Sequence, residues 1–232
     1  RNCSFTGFGS TDDANDSTVR FLATSGSLTL SLVGCTVDGA AASESNFSVD
    51  DAAGISVTLS IDPVTLTVHV NDNDGNDLSG AYVYLKAADG TGDLPFEDTV
   101  TIARSGTTAT VTHASHGLNT NEYVKLSGIT GDKIADNNGA HQITVVDAGE
   151  YTFTTADSGT YAGTIKATGV LVYGTTDGNG DITASRTLTL DQPYDGYVRK
   201  SSGSPRFKSF TLDGEMSKDN DTTVNIRMVL DE

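Results

Sequence analysis

Apolar residues in this chain recur at alternate positions in short runs, separated by Gly, Asn, Asp and Ser clusters that cannot continue a strand. The first such runs are Val19–Ala23, Leu28–Val33 and Ile55–Ile61. Val64–Val70 and Ala81–Lys86 alternate most cleanly, with the polar stretch Asn71–Gly80 as the turn between them. A further set carries Val111, Tyr123, Val124, Leu126, Ile143, Val145, Tyr151 and Phe153. These read as β-hairpins, and the segment Asp147–Glu150 joins two of them, with Gly149 expected to take the positive φ of a tight turn. Five or six strands between about Val100 and Ala167 can close a small barrel, which leaves little unpaired edge. Later runs predict strands at Gly169–Tyr173, Arg186–Leu190, Phe207–Leu212 and Thr223–Leu230. Helical periodicity never persists beyond about a dozen residues. The predicted fold class is all-β.

Composition supports that reading. The 232 residues leave room for one to three domains, and a hydrophobic content of 36% is low but sufficient for globular cores. Gly is frequent, Pro is scarce and Trp is absent. Thr and Ser fill the positions between Val, Ile and Leu, a mixture that favours strands and turns. The formal net charge of −17 argues against nucleic acid as a partner, because phosphate binding needs clustered Lys and Arg. Such a charge serves to keep an exposed surface soluble. A basic segment, Arg199–Lys208, stands out on this acidic chain; it reads as a solvated hairpin, the alternative being contact with an acidic neighbour or a polyanionic glycan. No stretch approaches the ~20 apolar residues of a membrane span and no signal peptide is visible, so membrane insertion is not expected. The first residue is Arg1, as expected of a cleavage product or of the visible start of a longer polypeptide.

Several phrases resemble known families. Asn2–Gly7 and Gly34–Gly39, each with a cysteine second, resemble rungs of a right-handed parallel β-helix, which implies about two coils at the capping end of a solenoid. The run from Val68 through the Asp-rich turn to Val83, followed by Thr175–Gly180, resembles carboxypeptidase-regulatory-like and related immunoglobulin-like β-sandwich modules. In those modules the two motifs lie a few tens of residues apart, whereas here about ninety residues intervene. Insertion of a small β-barrel domain at a loop tip accounts for the gap. The implied organisation is a β-helix-like segment at 1–62, a sandwich split between 63–98 and 168–232, and an inserted barrel at 99–167. The segment Ala109–Gly128, with Ile143–Asp147 and Tyr151–Phe153, resembles a small β domain that recurs in tail, fibre and other virion proteins of bacteriophages. The closing part, with Arg199–Pro205 and Met228–Glu232, resembles the distal domain of large phage structural proteins.

Candidate chemistry is sparse. His113 and His116 form a His-x-x-His pair, but strand residues three apart point to opposite faces, so they could share an ion only if the chain turns at Ser115. No third ligand is evident, and the reading is that no metal binds there. His69 and His141 read as isolated structural residues. The Asp-rich turns at Asp72–Asp77 and Asp177–Asp181 offer oxygen ligands of the kind Ca²⁺ prefers, with Asp72, Asp74 and Asp177 as first candidates. Neither matches an EF-hand loop, and the same residues serve tight turns with no ion at all. Cys3 and Cys35 allow two readings: a disulfide implying an oxidising compartment, or a pair of small buried thiols in stacked coils. Asp12, Asp13 and Glu44 could be imagined as a polysaccharide-cleaving carboxylate set, yet they sit in loops where acids are expected. No nucleophile elbow, phosphate loop or His-Glu-x-x-His motif is present. No catalytic, cofactor or metal residue is assigned.

The resemblances imply a non-enzymatic structural protein on the outer surface of a virus particle, either decorating the capsid or forming part of a tail or fibre. Its implied partners are other virion proteins, copies of itself in a trimer by analogy with coil-built fibres, and a host-surface glycan. Loop residues Asn119, Asn121, Lys133 and Asn137 are open to glycan contact or to plain solvation. The rival readings are an extracellular bacterial adhesin or surface-layer module, and a polysaccharide depolymerase fragment.

Overall fold

The computed structural model describes residues 3–6, 19–21, 26–42, 49–51, 55–137, 139–155, 159–200 and 205–231. Among these residues the regular structure is β throughout, apart from a 3-10 segment at Gly131–Asn137. The chain divides into two compact units, Arg1–Val64 with Ser185–Thr187, and Thr65–Ala184 with Leu188–Glu232.

The first unit is a stack of two coils. Strands β1 (Ser4–Phe5), β2 (Val19–Phe21) and β3 (Gly26–Leu32) form one coil, and β4 (Thr36–Val37), β6 (Val49–Asp51) and β7 (Ile55–Ile61) the next. A short β5 (Ala40–Ala41) pairs back on β4. Each coil-one strand runs parallel to its coil-two partner, Ser4 beside Thr36, Val19 beside Val49 and Gly26 beside Ile55. That repeat of about thirty residues in three parallel ladders is the geometry of a β-helix. Register places like on like, Leu30 beside Leu59 and Leu32 beside Ile61. Leu32, Cys35, Val37, Ala42 and Ile61 are buried together, with Phe5, Leu30 and Leu59 packed against them.

The second unit combines a sandwich and a barrel. Strand β8 (Val64–Asn71) buries every second residue, Leu66, Val68 and Val70 completely. It lies between β17 (Asp181–Arg186) and β20 (Thr222–Arg227) in a three-stranded sheet, with β20 parallel to it. Opposing this layer is part of a ten-stranded sheet: β16 (Ile165–Thr175), β9 (Tyr82–Ala87), β18 (Gln192–Lys200) and β19 (Phe207–Met216), hydrogen-bonded in that order. Val83, Leu85, Ala87 and Val198 are wholly buried on it, as expected of the inward face of a sandwich.

The rest of the ten-stranded sheet curls into a ring. Strand β10 (Asp98–Ser105) pairs with β11 (Thr108–Thr112), β11 with β15 (Glu150–Thr154) and β15 with β14 (Thr144–Asp147). Residue Ile143 continues β14 into β13 (Ala140–Gln142), which pairs with β12 (Tyr123–Ser127). Strands β12 and β10 both pair with β16 and close the circle. Val111, Val124, Leu126, Ile143, Tyr151 and Ala167 fill it at 1% exposure or less. Closure leaves little unpaired edge, β13 and β14 each having one partner strand.

Three local expectations are corrected. Gly149 does not adopt positive φ. Instead the Asp147 carboxylate accepts the Gly149 amide at 2.7 Å, and a bulge at Val145/Asp147 supplies the bend. The strand expected at Arg186–Leu190 lies earlier, ending at Arg186, because Thr189 and Leu190 give their amides to the Asp93 side chain rather than to a ladder. The closing strands also shift, β19 running on to Met216 and β20 ending at Arg227. No helix among the described residues is long and apolar enough to cross a membrane.

Truncation at the centre of β8 tests the sandwich core. Leu66→Ala is expected to cost about 3 kcal/mol, read as a lower urea midpoint for loss of near-UV tyrosine circular dichroism. An exposed control on the same unit, Thr223→Ala, should leave the midpoint within experimental error.

Candidate binding face

Strand alternation turns Tyr82, Tyr84 and Lys86 of β9 away from the sandwich core, opposite the buried Val83, Leu85 and Ala87. Cross-strand register then sets Tyr197 beside Tyr84 and Arg199 beside Tyr82. On the other side β16 brings Tyr173 beside Tyr84. The barrel strand β12 adds Tyr123, whose ring stacks on Tyr173 at 4.7 Å with the planes 28° apart.

Five of the eight tyrosines thus form one continuous aromatic face. Tyr82 and Tyr84 meet Tyr173 edge-on at 5.6 and 6.2 Å and meet Tyr197 at 6.1 and 5.5 Å. Each such pair contributes about 0.5–1.5 kcal/mol beyond its buried area. The Arg199 guanidinium lies over Tyr82 and Tyr197, 5.0 and 5.6 Å from their centroids, within cation–π range. Beyond it Lys86 pairs with Asp195 at 2.6 Å.

Burial raises the phenol pKa of both Tyr82 and Tyr84. For Tyr82 the hydrogen bond with Tyr173 adds to it, and for Tyr84 the neighbouring Tyr197 and Asp195 do. Both hydroxyls therefore remain protonated donors. Tyr84 is 8% exposed, and its hydroxyl has no hydrogen-bond partner. An unmet buried hydroxyl is costly to the free protein.

The basic segment is the β18–β19 hairpin, as expected. Lys200 donates to the Ser79 carbonyl at 2.7 Å, and Arg206 and Lys208 are exposed. Residues 201–204 lie outside the described residues.

The histidine pair is brought together, contrary to the opposite-face geometry of a continuous strand. Strand β11 ends at Thr112, and Ser115 and Gly117 both adopt positive φ, 52° and 60°. His113 and His116 are each 3% exposed, their rings 5.9 Å apart and packed on Tyr151. Their nitrogens are occupied. His116 Nδ1 accepts the Leu118 amide at 3.0 Å, so Nε2 carries the proton and donates to the Asp147 carbonyl at 2.9 Å. His113 bonds Tyr151 Oη and the Asp98 carboxylate. The pair ties the barrel turn to strands β10 and β15.

His69 is not isolated. Its Nδ1 meets Asp181 at 2.7 Å and its Nε2 lies 3.5 Å from Asp77, so it bridges the two Asp-rich turns. His141 Nε2 donates to the Asp136 carbonyl at 3.0 Å, and its ring packs on Phe153. In the first turn Asp72 accepts the Asn76 side chain and the amides of Asp74 and Asn76, which hold its carboxyl below the usual carboxylate pKa. In the second, Asp177 accepts the amides of Asn179 and Asp181. These carboxylates are committed to their own turns, and no group of three or more His, Cys, Asp or Glu suited to a metal occurs among the described residues.

No disulfide joins the cysteines: Cys35 is buried at 2% exposure, and Cys3 is exposed rather than buried. Of the loop residues open to glycan contact, Lys133 is 2% exposed and pairs with Asp136 at 3.8 Å. Asn137 brackets the Ile129 backbone through both ends of its amide. Asn119 and Asn121 remain exposed. Asp12, Asp13 and Glu44 lie outside the described residues.

No family model matches the chain, and no curated protein sequence does. Among solved structures, a point variant of the shaft pilin SpaA from Lactobacillus rhamnosus GG is similar at 11% identity with a TM-score of 0.30. The match covers 83% of this chain and 53% of that one, so the chain spans about half the pilin's length.

Removing the His116 ring leaves the buried Leu118 amide without its acceptor. His116→Ala is expected to lower stability by about 2 kcal/mol, measured by chemical unfolding. His116→Asn, able to both accept and donate, should recover part of the loss.

Proposed function

We propose that the protein is a non-enzymatic structural component of a virus particle, a capsid decoration, tail or fibre protein that displays β domains at the particle surface. The observation that carries this reading is the union, in one chain, of a two-coil parallel stack with a sandwich that shares a strand with a closed barrel. Repeat coils extend by adding further coils end to end, which suits a shaft, and closed or capped β domains suit a projecting head.

The resemblance of the phrases at Ala109–Gly128 and Tyr151–Phe153 to phage virion domains supports the same reading; in the fold they build the barrel's ladders and its His113–Tyr151–His116 packing. The Asp72, Asp177 and His116 side chains, which sequence alone could assign to metal binding, hold turns. In this role the partners are other virion proteins and further copies of the chain, with a trimer the arrangement suggested by coil-built fibres. Attachment to a host surface falls to the side chains the second unit exposes. The competing location is a bacterial cell surface, where β sandwiches serve adhesins.

Antibody labelling of purified particles and of fractionated cell walls from the source culture separates the two. Label on particles at regular positions is the expected outcome, seen by negative-stain electron microscopy. Label confined to cell walls would sink the virion reading.

A further inference from the structure

We infer that the tyrosine face of the second unit is a binding platform for an acidic polysaccharide carrying uronate groups. Its components are Tyr82, Tyr84, Tyr123, Tyr173, Tyr197 and Arg199. The inference deepens the attachment part of the proposed function and concerns what is bound, independently of whether the protein sits on a particle or a cell.

Three observations converge on this ligand. Sugar rings present flat patches of C–H groups, and such patches pack on aromatic rings while their hydroxyls bond to polar tips. Tyrosine supplies both halves, an apolar ring and a phenolic hydroxyl, at low cost in side-chain entropy. Here the rings are already fixed against one another at 4.7–6.2 Å, so little ordering remains to be done on binding.

Arg199 supplies the charge. It is exposed, it sits in a chain of net charge −17, and no carboxylate pairs with it among the described residues. Its guanidinium instead lies on Tyr82 and Tyr197. A sugar ring stacked on the neighbouring rings occupies the same layer, and its ring-edge carboxylate meets the planar fork side-on, the geometry guanidinium favours. Lys200, Arg206 and Lys208 follow on the same hairpin and add a positive field.

The third observation is the Tyr84 hydroxyl, buried beneath the face without a partner. A ligand hydroxyl reaching this donor would give it the partner it lacks. Tyrosine and arginine are also enriched at protein interfaces, and it is the charge of Arg199, unpaired among the described residues, that favours a carboxylate-bearing glycan here. Among the described residues the exposed large apolar side chains are Leu28, Ile134, Val146, Leu190, Phe210, Val229 and Leu230, and none of them belongs to this face.

The chain has no tryptophan, and five of its eight tyrosines line the face, so tyrosine emission reports its occupancy directly. Titration of the full chain with oligogalacturonate is expected to change that emission saturably, with a dissociation constant between about 10 μM and 1 mM. A neutral glucan oligomer of equal length should bind about tenfold more weakly, and added salt should narrow the gap. Arg199→Gln, at an exposed position, should lose about tenfold for oligogalacturonate and with it the preference over the neutral oligomer. Tyr197→Ala should weaken both.

Circular dichroism confirms folding of each variant, and Arg199→Gln keeps the test decisive if Tyr197→Ala fails to fold. No saturable response up to about 10 mM, or equal affinities for wild type and Arg199→Gln, would overturn the inference. So would a self-association that Tyr197→Ala abolishes in a protein indifferent to oligogalacturonate, since the face would then belong to a second copy. None of these outcomes bears on the microscopy, so the ligand and the location can fail separately.

Discussion

One strand holds the second unit together. The eleven residues of β16 enter as a barrel stave, bonded to β10 and β12 through Ile165–Val170, and leave as a sandwich strand bonded to β9 through Val170–Thr175. The bulge between Val170 and Val172 redirects it, and Gly169 permits the close approach of Leu94 and Pro95 that a Cβ would obstruct. A linker between two domains leaves their orientation to chance, whereas a shared strand transmits register from one to the other. The stacking of Tyr123 on Tyr173 is the side-chain expression of that continuity.

Much of the fold was legible because its cause is local. Alternation in Val64–Val70 and Ala81–Lys86 is enough to identify half-buried strands, and the cysteine-bearing phrases near Cys3 and Cys35 do mark the starts of stacked coils. What failed depended on contacts made from far away. Arg186–Leu190 alternates as a strand should, yet the Asp93 carboxylate, almost a hundred residues earlier, takes the amides of Thr189 and Leu190. Lys133 looks like a loop lysine until the 3-10 segment folds it inward against Asp136.

The binding face lies between these cases. Tyr82 with Tyr84, and Tyr197 with Arg199, are pairs two apart on a strand, so each pair's common side is readable from sequence. Their meeting is not. Tyr123, Tyr173, Tyr82 and Tyr197 come from four strands whose order follows the barrel excursion, and no local pattern encodes that order. The polar groups that sequence makes conspicuous, the His-x-x-His pair and the Asp-rich turns, do inward work instead. They use the hydrogen-bonding capacity of side chains to fold loops that carry too few apolar residues to be held by packing.

The parallel pairing of β8 with β20 has a mechanical meaning. These are the first and last strands of the second unit, aligned from Leu66 beside Thr222 to Asn71 beside Arg227, with the Asp221 carboxylate accepting the Thr65 amide at one end. Tension drawn through the unit along the chain pulls the two strands past each other lengthwise. Their bridging bonds then resist together in shear, instead of opening one by one as in a peeled hairpin. A module wired this way withstands traction in proportion to its ladder length, a property governed by the unfolding rate more than by equilibrium stability.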